Sequence, residues 1–286
     1  MRQPTIEWQV LGACNYNCSY CIQNPKHRVG VPDAAAIDAI LRFYANLPVR
    51  FEIKMSGGEP FTHPLFLDRI IPGLVSETPH MISVLTNLSA GKTDLERFAE
   101  RTAGRIGIVS ASMHLERVTP EAFIDRALHL RSLLAPEARL VVNSVLVPGR
   151  LETIARAAGM VKAAGLRFFP QLMKTKHGIA AYPDDETSLL AELLGHAPTP
   201  HEANLAPSYR GHRCHAGIEY FVVTQTGDVW SCRTARRNET GHLGNAVAGD
   251  FRPLSEPRVC TWDICPCTVP ANRGMIEGLS SARTDA

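Results

Sequence analysis

Cys14, Cys18 and Cys21 lie within eight residues, with three residues between the first two and two between the last pair. Thiolates at this density suit a soft metal or an iron–sulfur cluster, and a cubane held by three protein sulfurs keeps one coordination position for an exogenous ligand. A zinc ion that takes a distant fourth ligand is the competing reading. A second group, Cys214, Cys232, Cys260, Cys265 and Cys267, completes the eight cysteines, and the roughly 190 residues between the groups carry none. With no secretory signal in the sequence, thiols so distributed point to two metal sites rather than to disulfides.

The elements that must position these thiols are legible from residue 5 to residue 195. Six apolar runs, Ile6–Leu11, Phe51–Met55, Met81–Thr86, Ile106–Ser112, Leu140–Val147 and Arg167–Leu172, alternate with helical patterns. Several are rich in Val and Ile with little polar alternation, as parallel strands covered on both faces require. In the first helix Pro32 stands near the start, and Ile37, Ile40, Leu41 and Tyr44 recur at helical spacing. In the fourth, Thr119 caps, Pro120 occupies the first turn and Phe123, Ala127, Leu130 and Leu134 form the stripe. Six consecutive βα units predict an α/β fold with a parallel sheet, either open and doubly wound or curved into a partial (β/α)6 TIM-like barrel. Cys14 then follows the first strand, at the end of the sheet where α/β folds gather their ligands.

Ser56-Gly57-Gly58-Glu59-Pro60 closes the second strand at the same end. The glycines allow backbone to approach a ligand with no Cβ in the way, and Glu59 suits an ammonium group. A plain Gly-Gly turn before a helix is the simpler alternative. Together, C-x3-C-x2-C with Tyr20 before its last cysteine and this GGEP sequence resemble the signatures of the radical S-adenosylmethionine superfamily. The resemblance covers about residues 5–195 and implies that Cys14, Cys18 and Cys21 hold a [4Fe-4S] cluster that binds and cleaves S-adenosylmethionine. By the same resemblance Ser56, Gly57, Gly58 and Glu59 contact the methionine end, while Tyr20, Asn87, Ser110, Ser112 and Val147 join the cofactor site. Val147 belongs to a stretch, Val145 to Glu152, similar to an adenine-side motif in which Val145 stands in place of the first glycine.

After residue 195 the pattern changes. A Pro- and His-containing connection leads into Ile218–Thr224, a Gly227-Asp228 turn and Val229–Cys232, which reads as a β-hairpin that opens a smaller module over 196–277. Residues 278–286 are small and polar and read as a disordered tail. The spacing Cys214-x12-Gly227-x4-Cys232, with Leu243-Gly244-Asn245 beyond, resembles the SPASM and twitch extensions of radical S-adenosylmethionine enzymes. That resemblance implies one auxiliary [4Fe-4S] cluster on Cys214, Cys232 and two of Cys260, Cys265 and Cys267, with one thiol spare; a closed zinc site is the alternative. The short module is similar to that of the radical dehydrogenases that oxidise an aminocyclitol. Oxidation of a small polar substrate is therefore the first expectation. Epimerisation or another redox-neutral rearrangement comes second, peptide modification third, and a non-catalytic iron–sulfur or zinc module lies outside the enzyme class.

The composition excludes little but directs expectation. A chain of 286 residues with 45% hydrophobic content can bury one large core and carry a small module. A formal net charge of +2 gives no support for a general nucleic-acid or membrane-surface binder. The start of the chain lacks a signal peptide's apolar run, and no segment offers eighteen consecutive apolar residues, so a cytoplasmic protein is expected. Its partners would be a small-molecule substrate and an external electron donor such as flavodoxin or ferredoxin. Arg167, Gln171, Lys174 and His177 around the sixth strand, and Arg210, Arg213, Arg233, Arg236 and Arg237 around Cys214 and Cys232, mark a mouth suited to an anionic substrate. An ordinary solvated basic surface is the alternative.

Overall fold

The computed structural model describes residues 2–23, 30–102, 104–175, 178–195, 209–262 and 269–278. Chain order runs β1 (Thr5–Leu11), α1 (Ala34–Ala45), β2 (Glu52–Gly57), α2 (Ile71–Glu77), β3 (Met81–Thr86), α3 (Lys92–Thr102), β4 (Ile106–Ser112), α4 (Pro120–Leu133), β5 (Arg139–Leu146), α5 (Leu151–Ala163) and β6 (Arg167–Leu172). A two-stranded hairpin of β7 (Lys174–Thr175) and β8 (Gly178–Ile179) and the helix α6 (Thr187–Leu194) follow. The C-terminal part contributes β9 (Arg213–Cys214), β10 (Tyr220–Val223), β11 (Asp228–Trp230), α7 (Arg233–Arg237), β12 (His242–Asn245), β13 (Arg258–Val259) and α8 (Val269–Asn272). The helix starts obey their local chemistry: Asp33 accepts from the Ala36 amide at 2.8 Å, and Thr119 caps α4 ahead of Pro120.

One sheet carries the fold, in the order β12-β11-β10-β1-β2-β3-β4-β5-β6, with β1 to β6 all parallel. The six βα units curl into a partial barrel, because residues from β2, β3, β4, β5 and β6 line one common cavity. The predicted hairpin exists, as antiparallel β10 and β11, and β10 lies parallel to the free edge of β1. The sheet is therefore continuous across the predicted module boundary at 195. Most of the tail, residues 279–286, lies outside the described residues.

The two faces of the sheet differ chemically. On β1, Ile6, Trp8 and Val10 turn toward the helices, where Trp8 meets Tyr44 of α1 edge-on at 5.4 Å. Each such fully buried apolar side chain contributes ~1.5–3 kcal/mol. The alternate residues Thr5, Glu7 and Gln9 face the lumen, where Glu7 and Gln9 sit in register with Lys54 and Ser56 of β2. The lumen is thus polar along the length of β1. At the amino end of the strands Arg273, beyond α8, closes this lumen by pairing with buried Glu52 at 2.7 Å.

Candidate active site

The loop after β1 is fixed by backbone contacts that only glycine allows. The Gly58 amide donates to the Leu11 carbonyl at 3.1 Å and the Glu59 amide to the Ala13 carbonyl at 3.0 Å. A Cβ on Gly58 would stand 1.4 Å from the Ala13 oxygen, and one on Gly57, whose φ is +141°, 2.2 Å from the Leu11 oxygen. What approaches these glycines is thus the chain's own backbone, at the root of the cysteine loop.

Cys14, Cys18 and Cys21 line one cavity of about 230 Å3 with Tyr20, Gly57, Gly58, Glu59, Asn87 and Ser112. Three other expected residues stand apart. Ser56 is buried beside Arg233 of α7, whose Nη2 donates to its hydroxyl at 3.4 Å; Ser110 lines the deeper lumenal cavity; Val147 lines a neighbouring cavity that shares Tyr20. Both serines of β4 are gripped by Asn143, which donates to Ser110 Oγ and accepts from Ser112 Oγ at 2.9 Å each.

Glu59 is almost wholly buried, and its carboxylate already accepts from Thr86 Oγ1 at 2.7 Å, the Asn87 amide at 2.6 Å and the Phe61 amide at 3.2 Å. Burial outweighs these bonds and pushes its pKa up to about 7. Glu59 therefore braces the ends of β2 and β3 and offers an incoming ammonium only its remaining acceptor capacity. Asn87 extends the brace: its Nδ2 donates to Asn15 Oδ1 at 3.0 Å, inside the cysteine loop.

Sequence reasoning missed the other clamps on that loop. Glu116, just past β4, accepts from the Ser19 amide at 2.8 Å and the Ser19 hydroxyl at 2.5 Å, and these bonds hold its pKa below the ordinary carboxylate range. Arg117 donates to the Asn17 carbonyl, and Gln23 to the Gly57 carbonyl. His114 stacks on Tyr20 at 5.8 Å and hydrogen-bonds its hydroxyl at 3.0 Å. The available signal was position, since residues 113–117 follow a parallel strand at its carboxyl end. For Asn143 it was a polar residue amid the apolar run of β5.

The second cysteine group also converges. Cys214, Cys232 and Cys260 line one cavity of about 250 Å3, walled by Ala216, Ala235 and Ile276. Cys260 arrives through the pairing of β9 with β13, where its amide donates to the His212 carbonyl at 2.8 Å. Cys265 and Cys267 lie outside the described residues, as does His177.

Among the described residues no three His, Cys, Asp or Glu side chains meet around a single ion-sized point. The donor chemistry nevertheless fits a cluster: three thiols border each cavity, and a cubane spreads its ligands wider than one ion does. Cys18 is the buried member of the first set, and burial, reinforced by Cys21, pushes its thiol up to about 11. A bound metal centre would reverse that bias and displace the proton. Of the residues expected at the mouth, neutral Gln171 and cationic Lys174 accompany the first cavity, whereas Arg167 opens β6 at the opposite, exposed end of the strand. No described helix is long and apolar enough to cross a membrane.

A family model described as the Radical SAM superfamily matches residues 8–167. GTP 3′,8-cyclase of Haemophilus ducreyi (strain 35000HP / ATCC 700724) is 25% identical over 127 residues, which span 43% of this chain and only 36% of that protein. Among solved structures, anSMEcpe with bound AdoMet and a Cp18Cys peptide superposes with a TM-score of 0.59 at 17% identity, over 85% of this chain and 77% of that one. Streptococcus suis SuiB bound to S-adenosylmethionine gives 0.63 at 17% identity, over 86% and 64%. At these identities the structural likeness speaks for the fold.

Proposed function

This chain belongs to the radical SAM superfamily, and from that premise we propose that it oxidises a small polar substrate with two iron–sulfur clusters of divided role. A [4Fe-4S] centre held by Cys14, Cys18 and Cys21 would supply one-electron reductive cleavage of S-adenosylmethionine, with a reduced flavodoxin or ferredoxin as electron donor, and through it hydrogen-atom abstraction from the substrate. The chain's own residues hold and screen that event. Glu116, Asn87 and Arg117 fix the cysteine loop, and Glu59, Asn87 and Ser112 supply the polar groups facing the same cavity.

The observation that carries this reading is that all three N-terminal thiols open onto the cavity bordered by Gly57, Gly58 and Glu59. The grouping of Cys214, Cys232 and Cys260 supports an auxiliary [4Fe-4S] centre, completed by Cys265 or Cys267. A centre ligated by four thiolates has no open iron, so it would supply an acceptor for the electron released in an oxidation. After anaerobic reconstitution with iron and sulfide, reduced protein should convert S-adenosylmethionine to 5′-deoxyadenosine; intact cofactor after many protein equivalents of reductant would refute the reading.

Peptide modification is the second reading, favoured by the fold shared with anSMEcpe and SuiB, both of which have been solved with peptides. Under the first reading, reconstituted protein and S-adenosylmethionine deplete a low-mass compound in a metabolite extract. Depletion of a peptide instead would favour the second.

A further inference from the structure

The helix α7 stands between the C-terminal cysteine cavity and the barrel lumen. Its residues Cys232, as N-cap, and Ala235 line the cysteine cavity. The neighbouring positions Arg233 and Arg236 point the other way, into the lumenal face of β1 and β2. Arg233 pairs with Glu7, which is 1% exposed, and reaches Ser56; Arg236 donates to Gln9, 8% exposed. Ser56 and its neighbours Gly57 and Gly58 continue directly to the cavity of Cys14, Cys18 and Cys21.

The charges here do not cancel. Glu7 answers Arg233, whereas the side chain of Arg236 bonds only neutral Gln9 among the described residues. Asp228 also acts on Arg236, but its carboxylate is engaged by Thr226 at 2.7 Å, Asn245 at 3.0 Å and His242 at 3.3 Å. Removing a guanidinium from water without a counter-ion is costly, and burial together with Arg233 lowers the pKa of Arg236 to about 10. An oxyanion would lift that cost by bidentate pairing, which the planar fork of arginine favours.

We propose that Arg236, assisted by Arg233, binds a carboxylate or phosphate group of the substrate where α7 meets Glu7, Gln9 and Ser56 of β1 and β2. The inference rests on the proposed oxidation of a small polar substrate and adds that substrate's chemical class. It also gives α7 a double role: one face borders the electron acceptor's cavity while the other holds the electron's source. Lys174 and Arg213 do not share this place, since Lys174 lines the first cavity and Arg213, at 51% side-chain exposure, faces Glu277.

The test is titration of the reconstituted, S-adenosylmethionine-loaded protein with inorganic phosphate and, separately, with acetate, followed by calorimetry. Saturable binding is expected for at least one probe, and the tighter of the two identifies the group. Arg236→Gln should weaken it at least tenfold. Gln9→Glu supplies an internal carboxylate to Arg236 at nearly constant volume, so it should weaken binding by a similar factor without loss of folding. No saturable binding of either probe to the wild type, or unchanged affinity in Gln9→Glu, overturns the proposal. Formation of 5′-deoxyadenosine by the wild type, measured alongside, shows separately whether the radical SAM reading holds.

Discussion

Gly58 illustrates how closely single residues are fixed at this site. Because its Cβ position lies on the Ala13 carbonyl, Gly58→Ala must separate β2 from the cysteine loop, at a cost of ~3 kcal/mol or more. Thermal unfolding should shift down, and iron retained by the N-terminal site should fall; a variant with wild-type iron and stability would show that the junction yields. Glu116→Ala leaves the backbone path intact and removes both bonds to Ser19, so here stability should change little while iron is lost faster to a chelator. Glu59 gives a pH signature in the cluster-free chain. Its folded pKa of about 7 lies above the ordinary 4.5, so its stabilising contribution is complete below 4.5 and is lost as pH rises to about 7. At ~1.4 kcal/mol per pKa unit the span corresponds to roughly 3 kcal/mol. Glu59→Gln should flatten the urea midpoint over that range, and an unchanged slope would assign it to other groups.

At the scale of elements, the hairpin of β10 and β11 decides whether Cys232 reaches its cavity. Gly227 turns it at φ +86°, where an added Cβ would also meet Val247 Cγ2 at 2.7 Å and Asn245 Oδ1 at 2.9 Å. Gly227→Ala should cost ~1–3 kcal/mol and lower iron bound by the C-terminal cysteines, while Cys14, Cys18 and Cys21 keep theirs. Equal loss from both groups would show that the hairpin's effect is not local. The six strands, the start of α1 and the cap of α4 were legible because Val- and Ile-rich runs and Thr and Pro signals act locally. The parallel docking of β10 on β1 was not, since a hairpin's sequence specifies its own turn and not the strand beside it. Likewise the Gly-Gly pair announced a close approach but not its partner, which is the backbone at Leu11 and Ala13. The polar lumen was written in the alternation of Thr5, Glu7 and Gln9, and only the structure shows that Arg233 and Arg236, over two hundred residues later, complete it.

Across the whole molecule, the continuous sheet carries Cys214 and Cys232 on the same face as the barrel lumen. Tyr220 and Val222 of β10 pack with Cys214 and Cys232 on the side of the sheet that Glu7 faces, while Phe221 and Val223 join the helix-covered core. Cys14, Cys18 and Cys21 open onto one cavity and Cys214, Cys232 and Cys260 onto another, with α7 and the ends of β1 and β2 between them. The most direct test is the triple variant Cys14→Ala, Cys18→Ala, Cys21→Ala, reconstituted anaerobically and assayed together for iron, acid-labile sulfide, zinc and 5′-deoxyadenosine. The account predicts about four irons and four sulfides per chain, those of one remaining cubane, with no 5′-deoxyadenosine formed. Continued cleavage of S-adenosylmethionine, or zinc without sulfide at the remaining cysteines, would contradict it.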